Sequence, residues 1–290
     1  MSNLLKLHAY LGLGLRNLAQ VGLYRLGLRT GIHPVTRIKN SLEGTIFFRS
    51  TPGRQELPLP PSLWLDSIYC FGWQTADLVA GRPLWLTDLF TGRSLENQER
   101  PWWKLPDFGT TGEDIKAVWE LSRFDWVVAM AQRAAAGDEA ETARLNDWLS
   151  HWCAENPAYC GVNWKCGQEA SIRVMHLALA AHLLGQDADP APDLVRILVA
   201  HLARIAPTIS YAMAQDNNHG TSEAATLFVG GSLCVRSGVA GAEDWVKTGR
   251  FWLENRAQRL IADDGSFSQS SLNYHRLLVD TLSFAELWRS

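Results

Sequence analysis

From Glu113 onward, apolar residues recur at helical spacing through successive segments near 113–121, 124–136, 139–154, 166–184, 191–213, 222–236, 242–262 and 272–288. Gly, Pro, Asn or Asp separates most of them. Helices of about 10–20 residues with short joints leave few architectures open. Such an array stacks as a solenoid or closes into a ring of helical hairpins. No repeat of fixed period is visible, which argues against a solenoid of matched units. The expectation is an all-α domain over 113–290. Its last segment runs to Glu286-Leu287-Trp288-Arg289-Ser290 without a cap, so it reads as an array cut short.

Residues 1–112 read differently, as an N-terminal helix and an irregular arm. Leu4 to Leu28 is apolar but interrupted by Lys6, Arg16, Arg25 and several Gly. It shows no signal-peptide cleavage pattern. It reads as an amphipathic helix that packs on the protein or lies on a membrane surface. Gly31-Ile32-His33-Pro34 ends it. Within 35–110, Thr45-Ile46-Phe47-Phe48 reads as a short strand and Pro52 to Pro61 as an extended loop. Trp64, Trp73, Trp85, Trp102 and Trp103 follow no helical period, which makes this an aromatic-rich arm.

The 290 residues hold one large or two modest domains. A hydrophobic share of 47% and a charged share of 20% are ordinary for a globular protein. The net charge of −3 offers no general attraction to nucleic acid, so no nucleic-acid partner is expected. Thirteen Trp is a high count and hints at sugar stacking. The five Cys form no C-x-x-C pair and read as buried thiols, though Cys160 and Cys166 are close enough to pair in an oxidising compartment. No stretch reads as long and apolar enough to span a membrane. No motif calls for a cofactor, and nothing has metal-ligand spacing.

Three joints on the helical array are unusually polar. The first is Asn163-Trp164-Lys165-Cys166-Gly167-Gln168-Glu169, leading to Arg173; the four-residue spacing predicts a Glu169–Arg173 ion pair. The second is Asp216-Asn217-Asn218-His219-Gly220-Thr221-Ser222-Glu223. There Gly220 and Glu223 suggest a helix start near 222, with the Asn and His side chains at its N-terminus, where free N–H groups and the helix dipole favour an anion. The third runs from Asp263 to Asn273-Tyr274-His275-Arg276. Singly, each residue has a bland reading: Asn217 or Asn218 as a cap, His219 as a structural His, Tyr274 as a packing residue. Together, the second and third joints are expected to line one cleft.

Residues 113–290 resemble the N-terminal helical domain of the heparinase II/III-like polysaccharide lyases. The matching stretches are Trp119-Glu120 with Arg123, Asn163-Trp164 with Glu169 and Arg173, Asn218-His219 with Glu223, and Asp264-Gly265-Ser266 followed by Tyr274-His275. The resemblance implies an incomplete (α/α) toroid. Relatives usually continue into a β-sandwich, and the expectation is that this chain lacks one. It also implies β-elimination on a uronic-acid polysaccharide, an acidic partner. Asn218 and His219 would neutralise the uronate carboxylate and Tyr274 would be the base. Trp164, Glu169, Arg173, Asn217, Asn273, His275 and Arg276 are the candidate substrate contacts. His275, Arg276 and Arg173 are the cations expected to assist Tyr274, by position in sequence.

Two other readings stay open. One is an inactive fragment or carbohydrate-binding module. The other is a toroid glycoside hydrolase, for which Glu169, Glu223, Asp263 and Asp264 are the available carboxylates. The resemblance implies a periplasmic or secreted protein, whereas the lack of a visible signal peptide leaves a cytoplasmic one open.

Overall fold

The computed structural model describes residues 14–50, 67–78, 81–96, 99–106 and 115–289. The loop expected over Pro52 to Pro61, Trp64 and the expected N-terminal helix before residue 14 lie outside these residues. Helices in chain order are α1 (Gly14–Thr30), α2 (Lys116–Trp119), α3 (Asp125–Ala135), α4 (Glu139–Glu155) and α5 (Gly167–Leu183). There follow α6 (Pro192–Ile205), α7 (Ile209–Met213), α8 (Asn218–Arg236), α9 (Ala242–Leu260) and α10 (Leu272–Arg289). Among the described residues one two-stranded sheet occurs, β1 (Ser67–Cys70) and β2 (Gln74–Asp77). The fold class is all-α, as the sequence predicts, and it is the class to which helical toroids belong. The chain divides into two compact units: residues 39–201 with 236–239, and residues 1–38, 202–235 and 240–290.

The first of these units is built on an aromatic core. Helix α3 buries Trp126, Val127, Met130, Ala131 and Ala134, and α4 buries Leu145, Trp148, Leu149 and Trp152. Both sets follow the i, i+3, i+4 spacing of one helical face. Phe124 packs edge-on against Trp126 and Trp152 at 5.3 and 4.9 Å, and Trp126 against Trp148 at 5.3 Å. Such pairs add to the burial that already makes each ring a major core residue. Five of the thirteen tryptophans sit here. Trp85, Trp126, Trp148, Trp152 and Trp164 are all at most 2% exposed.

The arm is held onto this core by side chains. Thr45 to Phe48 form no strand, contrary to the sequence expectation, because among the described residues no second strand pairs with them. Side-chain amides and a carboxylate take that place. Asn146 Oδ1 accepts from Phe47 N and Phe48 N, and Asn146 Nδ2 donates to the Phe48 carbonyl. Gln186 does the same for both polar groups of Arg49, and Asp193 accepts from Thr45 N and Ile46 N. Trp85 Nε1 donates to His151 Nδ1 at 2.8 Å.

In the second unit, α1 ends as the sequence predicts. Gly31 adopts a left-handed φ of 70°, and Ile32 N and His33 N close back on the Gly27 carbonyl. Ala212, Met213 and Ala224 form a core with Ile209, Trp252 and Leu253. Helices α8 and α9 cross at Gly249, where an added Cβ would lie 2.3 Å from Phe228 N. Leu260, Phe267 and Leu278 form a smaller core.

One expectation needs correction. The continuous helical stretch Pro192–Met213 is long and apolar enough to cross a membrane by length and composition, although 56% of its apolar window is buried inside the protein. A buried core helix passes the same test. All five cysteines are free, as the sequence reading has them, with Cys160 and Cys166 half-buried and unpaired with each other. Burial pushes the Cys70, Cys153 and Cys234 thiols up to about 12, where they are inert.

Candidate functional site

Helix α8 begins at Asn218, four residues earlier than the sequence suggests. The reason lies in the two residues before it. Asp216 takes a left-handed φ of 46°. Its carboxylate accepts from Arg256 Nη1 at 2.6 Å, from Arg259 Nε and Nη2 at 3.1 and 2.8 Å, and from Asn17 Nδ2 at 3.1 Å. Burial pushes this carboxyl up, but the two arginines outweigh it and hold it below the ordinary carboxylate range. Gly220 leaves room for one of them, since a Cβ there would meet Arg256 Cδ at 3.0 Å. Asn217 is the N-cap, its Oδ1 accepting from His219 N at 3.0 Å. That is the bland role open to it in the sequence.

Asn218 and His219 therefore stand in the first turn of α8. Asn218 is 6% exposed, and its N–H donates to Gln269 Oε1 at 2.8 Å. His219 Nδ1 lies 3.5 Å from Glu223 Oε1, and that glutamate is buried. Glu223 thus faces His219 from the next turn. The free N–H groups expected at this helix end are in use: Gln269 takes that of Asn218 and Asn217 takes that of His219. What the helix start offers an anion is its dipole and side chains.

The third joint is a tight turn followed by α10. Ile261 bridges Phe267, Ala262 N bonds the Ser266 carbonyl, and Gly265 sits at φ 82°. Asp264 Oδ1 accepts from Ser266 N, and the Ser266 hydroxyl, then its N–H, hold the carboxyl below the usual range and give it a turn-forming role. Gln269 follows in the same connection. Asn273, Tyr274, His275 and Arg276 lie near the start of α10. Tyr274 is 42% exposed, so it is not a core packing residue. Asn273 and Arg276 are exposed and His275 is half-buried. The Asn218–Gln269 hydrogen bond ties the second joint to the third.

The first joint is part of the other unit, and its ion pair differs from the expected one. Glu169 takes Arg123, not Arg173, as partner: Arg123 Nε and Nη2 donate to its two oxygens at 2.9 and 3.0 Å. This fork-to-fork geometry suits guanidinium and carboxylate better than a contact along one helix. Arg123 Nη1 also donates to Glu120, and Glu120 Oε1 accepts from Phe71 N at 2.9 Å. Burial opposes the charge on Arg123, but Glu169 and Glu120 outweigh it and raise its pKa further. His176 Nδ1 lies 2.7 Å from the Arg123 carbonyl oxygen.

Arg173 and Trp164 are each 0% exposed. Direct substrate contact does not fit either of them. Arg173 Nε donates to His201 Nε2 at 2.8 Å and its Nη2 to the Asn163 carbonyl at 2.6 Å. Its guanidinium carbon lies 5.2 and 5.7 Å from the Trp152 and Trp164 ring centres. Because His201 Nε2 accepts, the imidazole is neutral with its proton on Nδ1, facing the Ile197 carbonyl at 2.8 Å. Burial, then the Arg173 charge, pushes His201 well below its ordinary pKa. So enclosed, Arg173 is no free cation for Tyr274.

Several residues escaped the sequence reading as site components. Gln269 and Asp216 carry no motif signal. Arg123 and Glu120 stand beside Trp119 in a matching stretch, but only the fold brings them to Glu169. Next to them is an exposed aromatic group. Phe71, held at φ 54° on the hairpin turn, stacks on Phe90 at 5.4 Å, and Trp73 lies 6.1 Å from Phe90. Trp73 is 65% and Phe90 57% exposed.

A family model described as the heparinase II/III N-terminus matches residues 96–289. The chain belongs to this family. The matched span takes in all three polar joints, together with Glu120 and Arg123, while the exposed hairpin aromatics lie outside it. Neither the curated proteins nor the solved structures gave a match. Membership in the heparinase II/III family relates the chain to polysaccharide lyases.

Proposed function

We propose that the protein is a polysaccharide lyase acting on a uronic-acid polymer by β-elimination. One observation carries the reading. In a heparinase II/III family chain, Asn218 and His219 open a helix that is hydrogen-bonded through Gln269 to the connection leading to an exposed Tyr274.

The chemistry asks for these groups. A base removes the proton at C5 of the uronate, the electron pair forms the C4–C5 double bond, and the C4–O4 bond breaks. The proton needed by the leaving O4 returns from an acid. Removal is difficult because charge accumulates on a carboxylate that is already negative. Donors aimed at its oxygens offset that charge, and such donors are usually the largest electrostatic contribution. Asn218 and His219 take this part, aided by the dipole of α8. Tyr274 is the base and then the acid. His275 and Arg276, its neighbours in sequence, are the groups placed to favour its oxyanion. Asn217 acts by capping the helix that carries the two donors.

The carboxylates support this reading over hydrolysis. Glu169 is occupied by Arg123, Glu223 is buried against His219, and Asp264 closes a turn. A hydrolase needs a pair about 5–10 Å apart across the scissile bond. The exposed Phe71, Trp73 and Phe90 rings suit stacking against pyranose faces.

The test is to incubate the protein with a panel of uronate polymers and follow ultraviolet absorbance of the unsaturated uronate. Growth of that absorbance supports the lyase. New reducing ends without it mean a hydrolase, and binding with neither means a carbohydrate-binding module.

A further inference from the structure

Helix α1 has two faces of different use. At about 100° per residue, Asn17, Val21, Tyr24 and Leu28 fall on one side. That side is docked: Tyr24 stacks on Tyr211 at 4.0 Å and Asn17 donates to Asp216. Leu15, Ala19, Leu23 and Leu26 fall on the other side. Leu15 is 82%, Leu23 69% and Leu26 58% exposed. Two apolar strips on opposite sides are more than docking to the protein requires.

The edges of the outward strip are basic. By the same geometry Arg16 borders it on one side, and Arg25 and Arg29 on the other; all three are exposed. The sequence before Glu43 holds Lys6, Arg16, Arg25, Arg29, Arg37 and Lys39 but no acidic residue. Ile32, just past the helix, is also exposed.

We propose that α1 is a membrane-surface anchor whose outward strip lies in the interface of an anionic lipid bilayer. A helix about 25 Å long presents its leucines to the acyl boundary. Its arginines reach up to the headgroups while their stems cover apolar surface. Charge decides against a neutral surface, because each arginine gains from anionic lipid. The leucines decide against an acidic sugar chain, which offers them no apolar surface. The inference is independent of the elimination chemistry.

The experiment is co-sedimentation of the full chain with vesicles of phosphatidylcholine, with and without phosphatidylglycerol. Wild type is expected to pellet with the anionic vesicles and to be released by salt. The triple change Leu15→Gln, Leu23→Gln, Leu26→Gln should lower the partition at least about tenfold. Arg16→Gln, Arg25→Gln, Arg29→Gln should lower it about a hundredfold. Unchanged circular dichroism confirms the fold of each variant, and Leu15→Gln alone, at the most exposed position, serves if a triple variant fails to fold. Wild type left in the supernatant with anionic vesicles overturns the proposal. So does a leucine variant that pellets as wild type does, or a wild-type dimer that the leucine change splits without any vesicle binding.

Discussion

The Gln269 side chain accepts the backbone N–H of Asn218 at 2.8 Å, across 51 residues of sequence. It ties the start of α8, where Asn218 and His219 stand, to the segment leading to Tyr274. Gln269→Ala should cost about 1 kcal/mol of stability, the usual net worth of one such bond. Its effect on turnover should be larger, up to about a hundredfold, because a small misplacement of reacting groups is expensive. Gln269→Glu keeps an acceptor and should recover most of the rate. Urea unfolding and elimination rates on the same samples check this.

Arg123 and Glu169 should be strongly coupled. Arg123→Ala leaves the Glu169 carboxylate, 5% exposed in its side chain, without its partner. Stranding one half of a buried pair costs about 3–5 kcal/mol. Adding Glu169→Gln to that variant should restore part of the loss. Denaturant melts of the two single variants and the double variant measure the coupling; strict additivity would show that the pair contributes nothing.

His201 sets an acid limit on stability. Its folded pKa is depressed well below the ordinary value, by burial and then by Arg173. Below about pH 6.5 the unfolded chain takes up a proton that the folded chain refuses. Stability is therefore present above that pH and falls as pH drops through it. Asp216 acts in a separate window: its depressed carboxyl contributes above about pH 4 and is lost as pH falls further. His201→Gln should flatten the stability profile between about pH 7 and pH 5 and leave the more acidic limb in place.

Gly249→Ala should be among the most damaging single changes in its unit. The added carbon would sit 2.3 Å from Phe228 N and 2.7 Å from the Ala224 carbonyl oxygen, which are backbone atoms of α8. Backbone atoms do not move aside as a flexible side chain does, so the two helices must separate. A loss of about 3 kcal/mol or more is expected. A thermal midpoint within a degree or two of wild type would mean that the crossing is looser than it looks.

The helical segments and their order were legible because apolar spacing is a local signal. Partners across space were not. The Glu169–Arg173 spacing predicts an i, i+4 pair, yet Arg123, 46 residues away, offers two parallel hydrogen bonds and wins. The start of α8 was misplaced because Asn217 caps it and Asp216, held by Arg256 and Arg259, fixes the entry. Neither partner is visible from Gly220 and Glu223. The high Trp count pointed to sugar, but most of those rings are core, and Trp73 is the exposed one among the described tryptophans. Thr45 to Phe48 looked like a strand because β-branched and aromatic residues favour one, whereas the partners of this segment and of Arg49 are the side chains of Asn146, Gln186 and Asp193.

The central claim is that Tyr274 removes the C5 proton. The most direct measurement compares wild type with Tyr274→Phe, following ultraviolet absorbance of the unsaturated uronate on a polymer that wild type cleaves. The change removes one hydroxyl from a half-exposed ring, so the fold and thermal midpoint should stay as they are. The account predicts that elimination falls at least about a thousandfold, with binding of the polymer nearly unchanged because the charge being handled is greatest in the transition state. Wild-type turnover in Tyr274→Phe would contradict it.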